Sequence, residues 1–236
     1  MALKELNGAG VTELAGHLGK SKGGVYSQLA TLRQQKFVTK QGDAYHLSPL
    51  FFTLGEFVKD ELGFVDIVKT EIDDLAAETG ELAQFAIETH GELVFLIHSQ
   101  GDRAVRAYSR VGRRDYLHYT ALGKAMLAYY PEEKVDEIIE MHGLPERTEN
   151  TITTRDDLEA ELASVREQGF AVNDIESREG MRAVAAPVMR DGESVVGAVA
   201  VSAPANRLRG SRLEEDVPEL ILGAVNAIEV KLKYSG

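Results

Sequence analysis

Side chains suited to nucleic acid recur between residues 21 and 40. Lys22, Arg33 and Lys40 can neutralise phosphate oxygens, whereas Ser27 and Gln28 can hydrogen-bond to base edges. All five lie within one short stretch of the chain. The complete set of candidate DNA-binding residues is Ser21, Lys22, Gly23, Tyr26, Ser27, Gln28, Arg33 and Lys40.

Two short helices joined by a tight turn would position these side chains. Thr12 is predicted to cap the first helix, which Gly19 ends. Ser21 is predicted to cap the second helix, in which Val25 and Leu29 begin an apolar stripe at helical spacing. This pattern is typical of a helix-turn-helix, although any helical hairpin would share it.

The flanking segments favour the more specific interpretation. A helix is predicted over 3–7, and two strands joined by a turn are predicted over 37–40 and 45–47. Three helices followed by a β-hairpin make a winged helix-turn-helix, in which the second helix of the pair enters the major groove by its N-terminal end. Gly23 and the glycine after it would let the backbone approach DNA; alternatively, they only weaken the first turn. We therefore predict a DNA-binding domain over residues 1–49.

The charge distribution separates this segment from the rest of the chain. Residues 1–49 hold six Lys and Arg against three Asp and Glu, a net charge of +3, whereas residues 50–236 hold 20 against 35, a net charge of −15. A basic unit on an acidic body indicates that one end meets a polyanion. The acidity is either an ordinary solvated surface or the surface of a halophile, where concentrated salt screens like charges.

The composition excludes several classes of protein. The 236 residues include no Cys, which rules out disulfides and thiolate metal sites. No apolar run approaches the ~20 residues that a membrane helix needs. The N-terminus has no signal-peptide pattern. We expect a cytoplasmic protein without membrane contact.

The sequence also lacks catalytic patterns. It has no Gly-x-Ser-x-Gly elbow and no phosphate-binding glycine-rich loop, and its six histidines lack metal-ligand spacing. Glu176, Arg178 and Glu179 form a charge cluster that we expect to be solvated. His98 and His118 are expected to be polar residues of a strand edge or a loop. We therefore expect no enzyme activity, no cofactor and no metal.

The remainder of the chain predicts a linker helix and an α+β domain. Residues 50–63 form a helix with one apolar face, which suits pairing with a second copy in a homodimer or tetramer. Strands linked by hairpins alternate with helices over 64–236, and the clearest hairpin joins 184–189 to 195–202. This order predicts a mostly antiparallel sheet covered by helices. Further predicted elements are helices over 66–78, 121–130, 132–141, 155–168 and from 212, and strands over 82–88, 93–98, 104–109 and 170–173.

Five stretches of the chain resemble the IclR family of transcriptional regulators. In the family's order they are His118–Ala128, Thr151–Thr154, Arg166–Ala171, Gly180–Pro187 and Val195–Pro204. Each motif is loose by itself, but five in register are specific. With the helices and hairpin at the N-terminus, the resemblance covers nearly the whole chain.

This resemblance implies three domains and two kinds of partner. The domains are a winged helix-turn-helix over 1–49 with a truncated first helix, a dimerising linker helix over 50–63, and a GAF-like effector-binding domain over 64–236. Family members bind double-stranded operator DNA as dimers or tetramers, and a small organic acid or aromatic metabolite alters their operator affinity. The alternative is a metabolite-binding sensor that acts through a protein partner rather than DNA.

The resemblance also implies an effector site. Backbone N–H groups at the start of a helix would hold a carboxylate, Asn173 and Ser202 would supply polar side chains, and two further positions are alanine here. So few polar groups favour a ligand that is larger or less charged than a keto acid of two or three carbons. The candidate effector-binding residues are Ala121, Leu122, Asn173, Ala183, Ala200 and Ser202.

Overall fold

The computed structural model describes residues 1–105 and 110–234, and its internal contacts divide the chain into two compact units. The first unit is Met1–Gly63 and the second is Phe64–Gly236. Within the described residues, no helix is long and apolar enough to cross a membrane.

The first unit contains four helices and a hairpin in its described residues. Its elements are α1 (Ala2–Glu5), α2 (Val11–Leu18), α3 (Lys22–Gln34), β1 (Val38–Gln41), β2 (Ala44–Leu47) and α4 (Leu50–Leu62). Leu14 of α2, Val25 and Leu29 of α3, and Val38 and Tyr45 of the hairpin share one buried core. This is the arrangement of a winged helix-turn-helix.

The start of α2 differs from the prediction that Thr12 caps it. Gly10 is the N-cap, with extended backbone and a carbonyl that accepts the first helical hydrogen bond, from the Leu14 N–H at 3.0 Å. Thr12 therefore lies inside the first turn. Gly10 has no side chain that could accept a hydrogen bond, but glycine is among the residues that commonly occupy the N-cap position.

In the part of the chain that the structure describes, the second unit contains a six-stranded antiparallel sheet with helices on both faces. The strand order is β5-β4-β3-β8-β7-β6, and every pair is antiparallel. The helices are α5 (Val65–Thr79), α6 (Ala121–Leu127), α7 (Glu132–His142), α8 (Arg155–Gln168) and α9 (Val217–Tyr234), the last preceded by a π-helical turn over Arg212–Asp216. The strands are β3 (Leu82–Thr89), β4 (Glu92–Gln100), β5 (Arg114–Asp115), β6 (Ala171–Asp174), β7 (Met181–Arg190) and β8 (Ser194–Pro204).

Side-chain alternation gives the sheet two different faces. α6 shares a buried cluster with Ala185 and Ala200 on one face. Ala200 pairs with Gln84 of β3, so the next residue of that strand, Phe85, points to the opposite face, where its ring contacts the Phe64 ring edge-on. The helices α5 and α9 pack together on β3, β4, β7 and β8. The predicted α+β fold with a mostly antiparallel sheet is confirmed.

Several element boundaries in this unit were predicted wrongly. The helix from residue 121 ends at Leu127 rather than at 130, and its seven residues are all buried. The strands of the last hairpin are longer than predicted, since they run over Met181–Arg190 and Ser194–Pro204. The two-residue strand β5 was not predicted. The predicted strand over 104–109 falls largely on 106–109, which lie outside the described residues.

Candidate DNA-binding and effector-binding sites

Helix α3 turns one side to the core of the first unit and the other to solvent. The Ser21 hydroxyl accepts a hydrogen bond from the Gly24 N–H at 3.2 Å and so caps the helix, as expected from the sequence. Val25 and Leu29 are buried, whereas all eight candidate DNA-binding residues are exposed. Seven of them lie on α3 or at its N-cap: Ser21, Lys22, Gly23, Tyr26, Ser27, Gln28 and Arg33.

The first turn of α3 has open space around it. A Cβ built on Gly23 would meet no atom within 4 Å. Tyr26 is 59% exposed although its ring is large and apolar. A large exposed ring beside an uncrowded backbone is suited to contact with another molecule.

The eighth candidate, Lys40, lies in the hairpin rather than on the helix. It belongs to β1, and its Nζ lies 5.7 Å from the centre of the Tyr45 ring and 4.0 Å from a carboxylate oxygen of Asp43. Its side chain is exposed, so this weak ion pair leaves the ammonium group accessible to a phosphate.

The strand register brings the four candidate effector residues of the sheet together. Asn173 pairs with Ala183, and Ala183 pairs with Ser202, which gives one row across β6, β7 and β8. Ala200 lies two residues from Ser202 and pairs with Ala185 in the next row. Directly paired residues point to the same face, so all four lie on the face that α6 covers.

The other two candidates form the first turn of α6. The Thr120 hydroxyl accepts a hydrogen bond from the Gly123 N–H at 3.0 Å and caps the helix. Ala121 and Leu122 follow, 2% and 4% exposed. The first N–H groups of a helix have no partner within it and carry partial positive charge. The structure therefore brings all six candidate residues to one side of the sheet.

Both polar side chains of this set already have partners within the protein. The Asn173 amide donates to the Tyr119 carbonyl at 2.6 Å and accepts from the Glu176 N–H at 3.1 Å. The Ser202 hydroxyl donates to Gln84 Oε1 at 3.1 Å. Asn173 thus joins the end of β6 to the segment before α6, which is a structural role the sequence did not indicate.

Two polar residues lie beside this set, and sequence reasoning missed the first of them, Gln84. Gln84 of β3 is 6% exposed and pairs with both Ala200 and His98 across the sheet. The Nδ1 atom of His98 is buried and has no hydrogen-bond partner among the described residues. A glutamine within the apolar strand 82–87 was the available signal, because buried polar groups normally require partners.

The expectation that Glu176 is solvated was wrong. Its side chain is buried, and Oε1 accepts hydrogen bonds from Lys124 Nζ at 2.6 Å and from the Asp174 N–H at 3.2 Å. Burial raises the pKa of Glu176, and the Lys124 charge offsets only part of that effect. Neighbouring Arg178 is half-buried and Glu179 is exposed, so the cluster does not share one environment.

His118 lies in the loop before α6 and is also buried. Its Nε2 lies 3.1 Å from the Pro145 carbonyl, and burial lowers its pKa. The Tyr119 hydroxyl donates to the Asp115 carboxylate, and burial together with that carboxylate raises the pKa of Tyr119. The described residues contain no group of three or more His, Cys, Asp or Glu that could hold a metal ion.

A model of the bacterial transcriptional regulator IclR C-terminal domain matches residues 57–230. The chain belongs to the IclR family. Its similarity to a probable HTH-type transcriptional regulator, ArcR, of Halobacterium salinarum is 34% identity over 98% of this chain and 90% of that protein. The HTH-type transcriptional regulator KdgR of Escherichia coli is 31% identical over 99% of this chain and 89% of its own length.

Solved IclR structures give the same result. The crystal structure of Thermotoga maritima IclR superimposes with a TM-score of 0.78 at 27% identity, over 96% of this chain and 92% of that one. The predicted membership of the IclR family is therefore confirmed. This chain is thus an IclR-family transcriptional regulator, and both relatives are named as regulators rather than as enzymes.

Proposed function

We propose that the first unit binds operator DNA and that a small molecule bound in the second unit modulates this affinity. The observation that carries the proposal is the solvent-exposed face of α3 in a winged helix-turn-helix. Helices of this kind enter the major groove by their N-terminal residues. In α3 those residues are Lys22, Gly23, Tyr26, Ser27 and Gln28.

The exposed residues divide into two roles by their chemistry. Gln28 and Ser27 would hydrogen-bond to base edges, and glutamine can contact adenine with both ends of its amide. Lys22, Arg33 and Lys40 would contact phosphates, which fixes position without reading sequence. The uncrowded first turn at Gly23 supports a close approach of the helix backbone to DNA.

This division is tested with the full chain on DNA from the region upstream of its own coding sequence. Gln28→Ala should weaken binding to the protected site by about 10-fold to 100-fold and leave unrelated DNA unaffected, since a bidentate base contact contributes ~1–3 kcal/mol of discrimination. Lys22→Ala should weaken binding to every sequence and reduce the slope of log affinity against log salt by about 1.

Gln34→Ala is the matched control for this experiment. Gln34 is an exposed glutamine at the C-terminal end of the same helix, so its loss should change neither specific nor general binding. Equal weakening by Gln28→Ala on all sequences would refute base reading. A failure of the wild-type chain to protect any upstream site would favour the alternative of a sensor that acts through a protein partner.

For the effector we propose the face of the sheet under α6. Ala121 and Leu122 would offer backbone N–H groups to a carboxylate, while Asn173 and Ser202 line the same face with hydrogen-bonding capacity left over. Both of these side chains are already engaged, and Ala183 and Ala200 add no polar atom. This scarcity supports an organic acid larger or less charged than a keto acid of two or three carbons.

A thermal-shift series of carboxylates tests that class, from pyruvate through sugar acids to benzoates. A bound acid at 100 times its Kd stabilises the fold by about 2.7 kcal/mol. Ala183→Leu should abolish the shift because it fills the site, whereas Val172→Leu, on the other face of β6, should retain it. The stabilising acid should then change operator affinity; a shift without such a change would refute modulation.

The exposed apolar face of α4 supports a homodimer or tetramer. Phe57 is 58% exposed and Val58 is 52% exposed in the single chain. Contiguous exposed apolar groups of this size are typical of protein interfaces. Phe57→Lys should shift sedimentation toward a monomer, whereas Glu56→Lys, at an exposed position on the opposite side of the same helix, should not. An unchanged assembly with Phe57→Lys would refute this interface.

The acidic composition supports adaptation to concentrated salt. With a net charge of −12, like charges repel across the surface until salt screens them. We expect the unfolding temperature to rise steeply as KCl is raised toward molar concentration. A flat response would leave an ordinary acidic surface as the explanation.

A further inference from the structure

A buried lysine forms ion pairs with a buried and a half-buried glutamate beside the proposed effector site. Lys124 of α6 is 1% exposed, and its Nζ lies 2.7 Å from Glu161 Oε1 and 2.6 Å from Glu176 Oε1. Glu161 belongs to α8, and Glu176 lies in the loop after β6. The second carboxylate oxygen of Glu176 is buried without a hydrogen-bond partner among the described residues.

Stability alone is a weak explanation for such a cluster. Taking charges out of water costs free energy that their mutual attraction often fails to recover, and apolar replacements of similar size are frequently as stable. The cluster also leaves one carboxylate oxygen unsatisfied, which adds to its cost. The cluster is better explained by the way it fixes α6 relative to the end of β6.

That geometry connects two parts of the proposed site. The Glu176 N–H donates to Asn173 Oδ1 at 3.1 Å, and the Asn173 amide donates to the Tyr119 carbonyl at 2.6 Å, just before α6. The Lys124–Glu176 ion pair makes a second link between the same two segments. Two links, one through the backbone at Tyr119 and one through a charge in α6, fix the distance and the rotation between the helix and the end of β6.

The loop that carries Glu176 has a conformation that needs such support. Ile175 has a φ of +64°, a left-handed backbone that a β-branched residue rarely adopts. The carbonyl of Glu176 accepts from the Thr148 hydroxyl at 3.0 Å and the Thr151 hydroxyl at 2.8 Å. Strained residues of this kind persist only where their surroundings fix them, and they cluster at functional sites.

We propose that Lys124 and Glu176 are positioning residues of the effector site, which hold the first turn of α6 at a set distance from Asn173. This proposal rests on the proposed function of that face of the sheet. Neither residue needs to touch the ligand. Loss of the pair should loosen the two segments and weaken the binding of a carboxylate by about tenfold, since hydrogen bonds to charged groups contribute of that order.

The test uses the full chain and three variants: Lys124→Met, Glu176→Gln and the double variant of both. Lys124→Met alone leaves two glutamates without their cation and is expected to lower the unfolding midpoint. The double variant removes both charges of the pair yet keeps an acceptor for the Asp174 N–H, so its midpoint should return toward that of the wild type. Glu88→Gln is the matched control, because Glu88 likewise accepts from a lysine, Lys134, at 2.6 Å and from a backbone N–H.

Two measurements distinguish positioning from a structural role. Hydrogen exchange without ligand should rise in peptides 119–124 and 171–176 of the double variant although its midpoint recovers. Benzoate affinity, measured calorimetrically, should stay about tenfold below that of the wild type. Glu88→Gln should change neither quantity in those peptides.

The opposite outcomes are equally clear. If the double variant regains both the midpoint and wild-type exchange in the two segments, the pair is only structural and the proposal is overturned. If benzoate and the other carboxylates of the series fail to bind the wild type, the proposed effector function fails instead. The exchange measurement still decides the positioning role in that case, because it needs no ligand.

Discussion

Helices α3 and α6 have the same kind of N-cap, but α3 is mostly exposed to solvent whereas α6 is buried. Each is capped by a hydroxyl that accepts from the N–H three residues later, the Ser21 hydroxyl from Gly24 and the Thr120 hydroxyl from Gly123. In α3 only Val25 and Leu29 are buried out of 13 residues, whereas all seven residues of α6 are buried. An exposed helix can act through its side chains, while a buried helix can act only through its terminal backbone and what it positions.

The glycine in the first turn of α6 should show the difference between the two helices most strongly. A Cβ on Gly123 would lie 2.1 Å from the Leu117 carbonyl oxygen, a backbone atom that cannot move aside cheaply. Gly123→Ala should therefore destabilise the second unit by about 3 kcal/mol or more, as overpacking of a tight core does. Urea unfolding followed by circular dichroism measures this; a loss under about 1 kcal/mol would mean that α6 is packed less tightly than the structure indicates.

The capping hydroxyls provide a smaller and more closely matched contrast. Ser21→Ala should cost about 1 kcal/mol, the usual loss for an exposed N-cap. Thr120→Ala should cost about 2 kcal/mol, since the Thr120 hydroxyl is buried and also shares its one proton between the Tyr116 and Leu117 carbonyls. Equal losses in the two units, measured by urea unfolding, would contradict the claim that burial distinguishes the caps.

The exposed helix α3 could be predicted from the sequence, whereas the buried contacts of α6 could not. The cap at Ser21 and the spacing of Val25 and Leu29 are local signals, and they predicted α3 correctly. The fate of Glu176 depends on Lys124, 52 positions away in the chain, and on the left-handed turn at Ile175. No periodicity encodes a contact of that kind, so the buried cluster could not be predicted.

The predicted effector residues show an intermediate case. Their positions came from resemblance, and the strand register then placed Asn173, Ala183 and Ser202 in one row. What resemblance could not give was the hydrogen bonding, in which Asn173 joins Tyr119 to Glu176 and Ser202 donates to a glutamine of β3. Those partners depend on side-chain rotamers and on neighbouring strands, which a motif does not record.

The buried carboxyl group of Glu176 should make the stability of the second unit depend on pH. The exposed helix α3 contains no buried carboxyl group. Burial raises the folded-state pKa of Glu176 above its ordinary value of 4.5, so at a pH between the two values the folded chain holds a proton that the unfolded chain releases. Stability from this group is therefore full below pH 4.5 and is lost as the pH rises through the folded-state pKa. Glu176→Gln stays neutral, so the unfolding free energy of the wild type should fall relative to this variant as pH rises.

Urea unfolding of both proteins from about pH 4 to about pH 7 measures this difference. Glu88→Gln is again the matched control, since it removes a carboxylate that pairs with Lys134 in the same unit. Parallel curves for the wild type and Glu176→Gln would contradict a burial-raised pKa. If the unfolding free energy of the wild type instead fell relative to Glu176→Gln as the pH was lowered, folding would lower the pKa of Glu176 rather than raise it.

The smallest change in stability is expected for Gly23→Ala. This substitution should stabilise its unit, whereas Gly123→Ala should destabilise its own. A Cβ at Gly23 meets no atom within 4 Å, and alanine is a better helix former than glycine by about 1 kcal/mol. Gly23→Ala should therefore stabilise the first unit by up to about 1 kcal/mol.

If the backbone of the first turn of α3 approaches DNA closely, the methyl group of Gly23→Ala should weaken operator binding, so stability and affinity would move in opposite directions. Urea unfolding and a gel-shift titration of one variant test both effects. A variant that is more stable and binds equally well would leave the α3 side chains, rather than its backbone, as the basis of DNA recognition.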